Sequence, residues 1–362
     1  MVTITDVARA AGVSRSTVSR VLNEQPGVSP ETRARVLEAI AALHYQPHFA
    51  ARALKRQQAE NIGIIVPNSF REPTGREPRG YYNTEIVRGA FNFCTEQHYA
   101  VTLLNDEGTF AFYASLFRRR QFDGIVLINV DMDLQLLEEL KSTEFPFVVV
   151  GNIPDPHVSS VDVDNYGSSQ RVVRYLHRLG HRLIAIINGP PERLASRDRR
   201  AGFRTMMRQL GLPLIDEFDQ EGDFSVDSGY QAMRRLLRLS HPPTAVYAIN
   251  DRMAIGALQA AHELGLDVPA DVSIVGFDDI PVAAYLTPPL TTVRQPLYEL
   301  GQTAAKMLFD IINGVIKAPT RGVLPATLVE RQSVASPRAF SHKAPYSGMA
   351  SSEHISDAVE SR

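Results

Sequence analysis

The stretch TITDVARAAGVSRSTVSRVLN, from Thr3 to Asn23, constrains the fold more than any other part of the chain. Thr3 followed three residues later by Asp6 is a capping-box pattern, and Ile4, Val7, Ala8 and Ala11 then recur at the spacing of one helical face. Gly12 stops that helix. Ser14 is placed to cap a second, in which Val18, Val21 and Leu22 point inward while Arg15, Ser16, Ser19 and Arg20 point away. A third begins at SPET, with Ser29 as cap, Pro30 at the first helical position and a stripe of Val36, Ile40 and Leu43. Isolated helices shorter than about 12–15 residues rarely hold in water. These must therefore pack on one another, and the tight glycine turn between the first two describes a helix-turn-helix unit whose second helix fits a DNA major groove.

Charge is distributed in keeping with that reading. Residues 1–56 carry eight Lys and Arg against four acids, a net of +4, whereas the remainder carries 30 against 36, a net of −6. The chain's formal charge of −2 conceals this asymmetry. A basic segment with an outward Arg and Ser face suits a polyanion, since Arg can bond two acceptors on guanine and the hydroxyls reach bases or phosphates.

Together with VSPETRARVLEAIAALHYQPHFAARALKR, the opening stretch resembles the DNA-binding headpiece of the lactose-repressor (LacI/GalR) family, with every spacing intact. The resemblance implies that Arg15, Ser16 and Arg20 face base edges and that Thr17 and Ser19 lie nearer the backbone. Thr5, Asn23, Arg52 and Lys55 complete the implied DNA contacts. It also implies a hinge helix over about residues 47–56 that forms only on the operator, with Leu54 wedged into the minor groove. Such a short segment would not stay helical alone, and an apolar side chain can sustain a kink by unstacking a base step.

From Asn61 onward the pattern changes. Short β-branched runs (IGIIV, AVTLL, FDGIVLI, FPFVVVGN) alternate with helical stretches such as EIVRGAFNFCTEQ, and a second set follows in HRLIAIING, AGFRTMMRQL, AVYAI, MAIGALQAAHEL and VSIVGFDD. Two successive sets predict two lobes, each a parallel sheet covered by helices. After LTTVRQP a helix is expected over Leu297–Ile312, then a strand-like RGVLPATLVE, so that the chain crosses back and completes both lobes. The fold class expected is thus an α-helical headpiece (1–56) and a two-lobed α/β sensor resembling periplasmic binding proteins (61–336). Lobe 1 is expected at about 61–160 plus 293–322, and lobe 2 at about 162–292 plus 323–336.

Open α/β sheets bind ligands beyond the carboxyl ends of their strands. Asn68, Asn250, Asp251, Asp278 and Asp279 stand at such ends, where they would offer acceptors to a hydroxyl-rich molecule; for Asp251 and Asp279 helix capping is the preferred reading. The family resemblance extends over about residues 2–336, through DNYGSS, SRDRRAGF, GDFS and INDRMAIGALQAAHELGLDVPADVSIVGFDDIPVAAYLTPPLTTVRQP. It implies that Arg199, Asn250 and Asp278 hydrogen-bond a sugar-like effector and that Phe224 stacks on its ring. Gln295 lies at the crossover, and Asp164 is a further candidate. By itself the RDRR run around Arg199 reads as a solvated helix start. Tyr81, Tyr82 and Asn83 are expected to face the effector, beyond a loop (69–80) longer and more charged than the family's usual one. The tail, 337–362, is Ser- and Ala-rich without a leucine heptad and is expected to be disordered. A homodimer on a pseudo-palindromic operator follows, because two weak headpieces gain by linkage.

Other classes fit less well. A periplasmic binding protein would carry a signal peptide and no helix-turn-helix. For an enzyme there is no G-x-G-x-x-G, G-x-x-x-x-G-K-[ST] or G-x-S-x-G. A non-specific nucleoid protein would leave the large acidic region without a purpose. No apolar run is long enough for a bilayer and no secretory leader is visible, so the cytosol is the expected compartment. No cofactor or metal is expected, and Cys94, the only cysteine, reads as a small buried residue.

Overall fold

The computed structural model describes residues 2–22, 25–45, 59–67, 80–118, 121–129, 134–317 and 319–338. Three helices open the chain: α1 (Ile4–Ala11), α2 (Arg15–Leu22) and α3 (Pro30–Ala42). The Thr3 capping box is complete, its hydroxyl accepting from the Asp6 amide and the Asp6 carboxylate accepting from the Thr3 amide. Gly12 adopts φ +64°, the left-handed conformation that a glycine supplies without strain, and its amide closes the last turn of α1. Val7, Val18 and Val36, one from each helix, are fully buried against one another's elements, with Tyr45 closing the small core. None of these helices could bury its stripe alone.

The larger part is two parallel α/β lobes. Lobe 1 is a six-stranded sheet in the order β11-β5-β4-β3-β1-β2, every pairing parallel. Its strands are β1 (Asn61–Val66), β2 (Ala100–Asn105), β3 (Gly124–Ile128), β4 (Phe147–Val150), β5 (Ser160–Val163) and β11 (Arg321–Leu324). Ile62, Ile64 and Val66 face α4 (Gly80–Glu96) and α11 (Leu297–Ile312). Ile65, Ile125 and Leu127 face the other layer, α5 (Phe110–Arg118) and α6 (Leu134–Lys141). Strands buried on both faces explain the unbroken β-branched runs. Cys94 lies buried in the first of these cores, and burial pushes its thiol up to about 12.

Lobe 2 is a four-stranded parallel sheet, β7-β6-β8-β9, made by β6 (Ile184–Asn188), β7 (Asp219–Glu221), β8 (Ala245–Ala248) and β9 (Ser273–Val275). Its helices are α7 (Asn165–Arg178), α8 (Leu194–Gln209), α9 (Val226–Leu237) and α10 (Asp251–Glu263). A Cβ on Gly229 would fall 2.1 Å from the Met253 carbonyl oxygen, so α9 and α10 touch backbone to backbone at a point only glycine permits.

RGVLPATLVE, read as strand-like with the lobes dividing at about 322/323, is two strands, and Val323 and Leu324 belong to the lobe 1 one. Pro325 and Ala326 separate β11, which completes the lobe 1 sheet, from β12 (Thr327–Val329), which pairs antiparallel with β10 (Thr292–Arg294) beside β9. Pro lacks the amide a continuous central strand would need. The chain therefore passes between the lobes three times, after β5, after β10 and between β11 and β12. Pro337 and Arg338, the first residues of the expected tail, lie on lobe 2, where Arg338 pairs with Asp271 at 3.1 Å; residues 339–362 lie outside the described residues. At the opposite end of the core, the Asp123 carboxylate accepts from the Ala59 amide at 2.6 Å and the Glu60 amide at 2.8 Å, gripping the chain as it enters β1.

Candidate functional site

In the headpiece α2 presents its polar face outward. Arg15, Ser16 and Arg20 are exposed, Thr17 and Ser19 are half-buried, and Thr5 on α1 is exposed nearby in sequence. Ser14 caps the helix, accepting from the Thr17 amide at 3.1 Å, and its hydroxyl also meets those of Ser16 (2.6 Å) and Thr17 (2.9 Å). Positive charge and hydroxyls on one short exposed helix are what base-edge and phosphate contacts require. Asn23, Arg52, Leu54 and Lys55, and with them the hinge helix, lie outside the described residues, as does Asn68.

A second cluster forms at the carboxyl ends of the lobe 2 strands. The RDRR run does not start a solvated helix at Arg199: this side chain is 5% exposed, one full turn inside α8. Its Nε donates to Asn165 Oδ1 at 2.8 Å and its Nη1 to the Ile249 carbonyl at 2.6 Å, while the guanidinium lies 3.6 Å from the Phe277 ring centroid. Asp278 Oδ1 is 3.9 Å from it and accepts from Gln295 Nε2 at 2.6 Å. Gln295 Oε1 is buried with no hydrogen-bond partner among the described residues. Burial raises the Asp278 carboxyl above the usual carboxylate range, against the lowering pull of Arg199.

Phe224 sits next to this group with φ +68°, its carbonyl accepting from Asn250 Nδ2 at 3.1 Å. Asn250 Oδ1 in turn accepts from the Met253 amide, so Asn250 is the cap of α10. Asp251, expected to cap, does not: it is fully buried, with Oδ1 accepting from the Thr292 hydroxyl at 2.5 Å and Oδ2 from the Ile280 amide at 2.9 Å. Asp279, also expected to cap, bridges Arg294 and Arg331 at 2.6 Å each. Both carboxylates tie the β9 end to β10 and its neighbours, contacts too distant in sequence for a local pattern to show. Asp164 caps α7 through the Gly167 amide and pairs with Arg171 at 3.1 Å, so both its oxygens have partners outside the Arg199 cluster.

Lobe 1 contributes α4. Burial, with the charges of Asp162 and Asp278, raises the pKa of the Tyr82 hydroxyl, and Arg199 opposes them. Tyr81 is more exposed, and burial together with Glu85 and Asp279 raises its pKa. Asn83 is buried and accepts from Asn129 Nδ2 at 3.1 Å. The cleft also contains residues the sequence reading did not single out. Asp162, pushed up to about 6 chiefly by burial, accepts from Asn165 Nδ2 at 2.9 Å. Asn152 of lobe 1 donates to Asp198 of lobe 2. Asn129 and Asn188 follow lobe 1 and lobe 2 strands in the same way as Asn68 and Asn250, and that signal was sufficient to find them. Among the described residues no group of His, Cys, Asp and Glu could hold a metal ion, and no helix is long and apolar enough to cross a membrane.

Comparison with known proteins joins these two sites. Residues 3–48 match the pattern of the bacterial regulatory proteins of the lacI family, and residues 173–334 that of a periplasmic binding protein-like domain. The HTH-type transcriptional repressor PurR of Salmonella paratyphi B is 38% identical over 344 residues, covering 92% of this chain and 97% of that one. The chain belongs to the LacI family. Among solved structures, the Lac repressor dimer bound to operator and an anti-inducer superposes with a TM-score of 0.79 at 30% identity, covering 92% of this chain and 99% of the other. The transcriptional regulator CelR in complex with cellobiose superposes at 0.68 with 33% identity, covering 92% and 100%. This LacI family member is accordingly a helix-turn-helix transcriptional regulator with a periplasmic-binding-protein-like sensor.

Proposed function

We propose that the protein is a dimeric, cytoplasmic repressor that reads a pseudo-palindromic operator and whose operator affinity is set by a sugar or sugar derivative held between the lobes. The observation that carries this reading is that one chain joins the exposed Arg15, Ser16 and Arg20 face to a buried polar cluster of Arg199, Asp278 and Gln295 beside an aromatic ring, Phe224. The solved relatives bound to operator and to cellobiose support its two halves. In the mechanism, an effector bridging Tyr82 and the lobe 2 cluster changes the angle between lobes, and the linker that leads into β1 passes this to the headpieces. Such coupling is reciprocal: a ligand that weakens operator binding is itself bound more weakly by the operator complex.

The test is selection of binding sites from random DNA with the full-length protein, repeated with a panel of sugars. A pseudo-palindrome whose affinity shifts with one compound supports the reading. Binding almost independent of sequence, with the steep salt dependence of phosphate contacts, would replace it with a nucleoid-type role.

A further inference from the structure

Among the described residues, three buried polar atoms near the cleft have no hydrogen-bond partner: Asn188 Oδ1, Ser196 Oγ and Gln295 Oε1. Their residues are 3%, 0% and 4% exposed. Asn188 ends β6, and the Phe224 ring and Ser196 pack directly on the following Gly189: a Cβ there would fall 2.5 Å from the ring and 2.6 Å from Ser196 Oγ. Ser196 stands three residues before Arg199 on α8, on the same helical face, and Gln295 is tied to Asp278 beside Arg199. Asn188 and Ser196 thus flank Phe224, and Gln295 joins them through Asp278 and Arg199.

Two of the three are amide oxygens, which accept and cannot donate; the third, a hydroxyl, does either. The donors nearby are largely spent. Arg199 uses Nε and Nη1 on Asn165 and Ile249, and Arg252, whose Nε is unpartnered, lies close enough to Asp278 to act on its charge. Against these two arginines stand three carboxylates: Asp278, 3.9 Å from Arg199, Asp162, which accepts from Asn165, and Asp198, which accepts from Asn152. A sugar hydroxyl donates to an amide oxygen and accepts in return. A phosphate ester brings two negative charges and oxygens that only accept.

We propose that this cleft selects uncharged, hydroxyl-bearing effectors and rejects their phosphorylated forms, with Asn188, Ser196 and Gln295 as the specificity-determining acceptors. This rests on the carbohydrate reading above and deepens it. Where the esterified position meets this floor the phosphate cannot donate, and the buried acceptors there are left unpaired.

The test is isothermal titration of the full-length protein with cellobiose, glucose and ribose, and with glucose 6-phosphate, ribose 5-phosphate and adenine. The expected result is that a neutral sugar binds at least tenfold more tightly than any phosphorylated sugar at pH 7.5. Ser196→Ala, which removes one hydroxyl from a buried position, should weaken that sugar three- to tenfold while melting within a few degrees of the parent. Asn188→Leu, which removes the acceptor from the same floor, should weaken it further. A phosphorylated sugar binding as tightly as its neutral form, or Ser196→Ala and Asn188→Leu both leaving the neutral sugar's affinity unchanged, would overturn the inference but leave the carbohydrate reading standing. Binding of adenine with no sugar bound would overturn both.

Discussion

Asn152, in the loop after β4 of lobe 1, donates a 2.6 Å hydrogen bond to Asp198 on α8 of lobe 2. The acceptor directly precedes Arg199, so a contact between lobes is fixed to the residue that anchors the cleft floor. A hydrogen bond of this kind is worth about 0.5–1.5 kcal/mol net, and Asn152 is exposed, which places it at the lower end. Asn152→Ala is expected to leave the melting temperature almost unchanged and to speed effector dissociation severalfold. Stopped-flow dissociation on Asn152→Ala, Asp198→Ala and the double variant checks this: the two single effects should not add.

Arg199 has a structural task besides its place in the cleft. Arg199→Ala leaves Asn165 Oδ1, the Ile249 carbonyl and Asp278 without their cation, and breaking a buried charged network costs about 3–5 kcal/mol. Loss of effector binding in this variant is expected to come with a lower unfolding midpoint, read by chemical denaturation. Arg199→Lys should recover less than half of the loss, because an ammonium cannot reproduce the two-sided fork and the flat stack on Phe277.

For the headpiece, Arg15→Ala is expected to cost about 1–3 kcal/mol of operator affinity and to relax the base preference at one position of each half-site. A phosphate contact behaves differently: its loss weakens all sequences alike and lowers the salt slope by about one. Titrating Arg15→Ala and Arg20→Ala against the selected operator and a scrambled one at several salt concentrations assigns each arginine to one class.

Stability should also depend on pH through Asp162. Its folded pKa, about 6, lies above the usual value near 4, so the folded state holds this proton more tightly than the unfolded chain does. The resulting stabilisation is fully present below about pH 4 and is lost as pH rises through 6, at up to about 1.4 kcal/mol per pH unit. Burial raises the Asp251 and Asp278 carboxyls in the same sense. Asp162→Asn keeps the acceptor for the Val163 amide, gives up the one for Asn165 Nδ2, and is expected to flatten the melting temperature between pH 4.5 and 6.5.

How much of this was legible in the sequence depended on the range of the interactions concerned. Thr3, Asp6, Gly12, Ser14 and Ser29 announced the headpiece because capping and turn geometry act within four residues. Helix α11 was read with its bounds because its apolar stripe is long and periodic. Arg199 looked solvated amid its charged neighbours, since its burial depends on Asn165 and Ile249, 34 and 50 residues away. Asp251 and Asp279 looked like caps for the same reason: Thr292 and Arg331 give them their roles. Asn152 and Asp198 could not be paired from sequence at all, because what brings them together is the angle between the lobes.

The grip of Asp123 on Ala59 and Glu60 sets the length of a tether. Tyr45 still belongs to the headpiece core, so the only chain between the two units is residues 46–58. Fully extended, such a segment spans at most about 45 Å, somewhat more than the roughly 34–36 Å between half-sites one helical turn apart. Thirteen residues hold each headpiece within that reach of the core, and once one half-site is occupied the other meets an effective concentration in the millimolar range. Asp123→Ala would lengthen the leash and dilute the second headpiece.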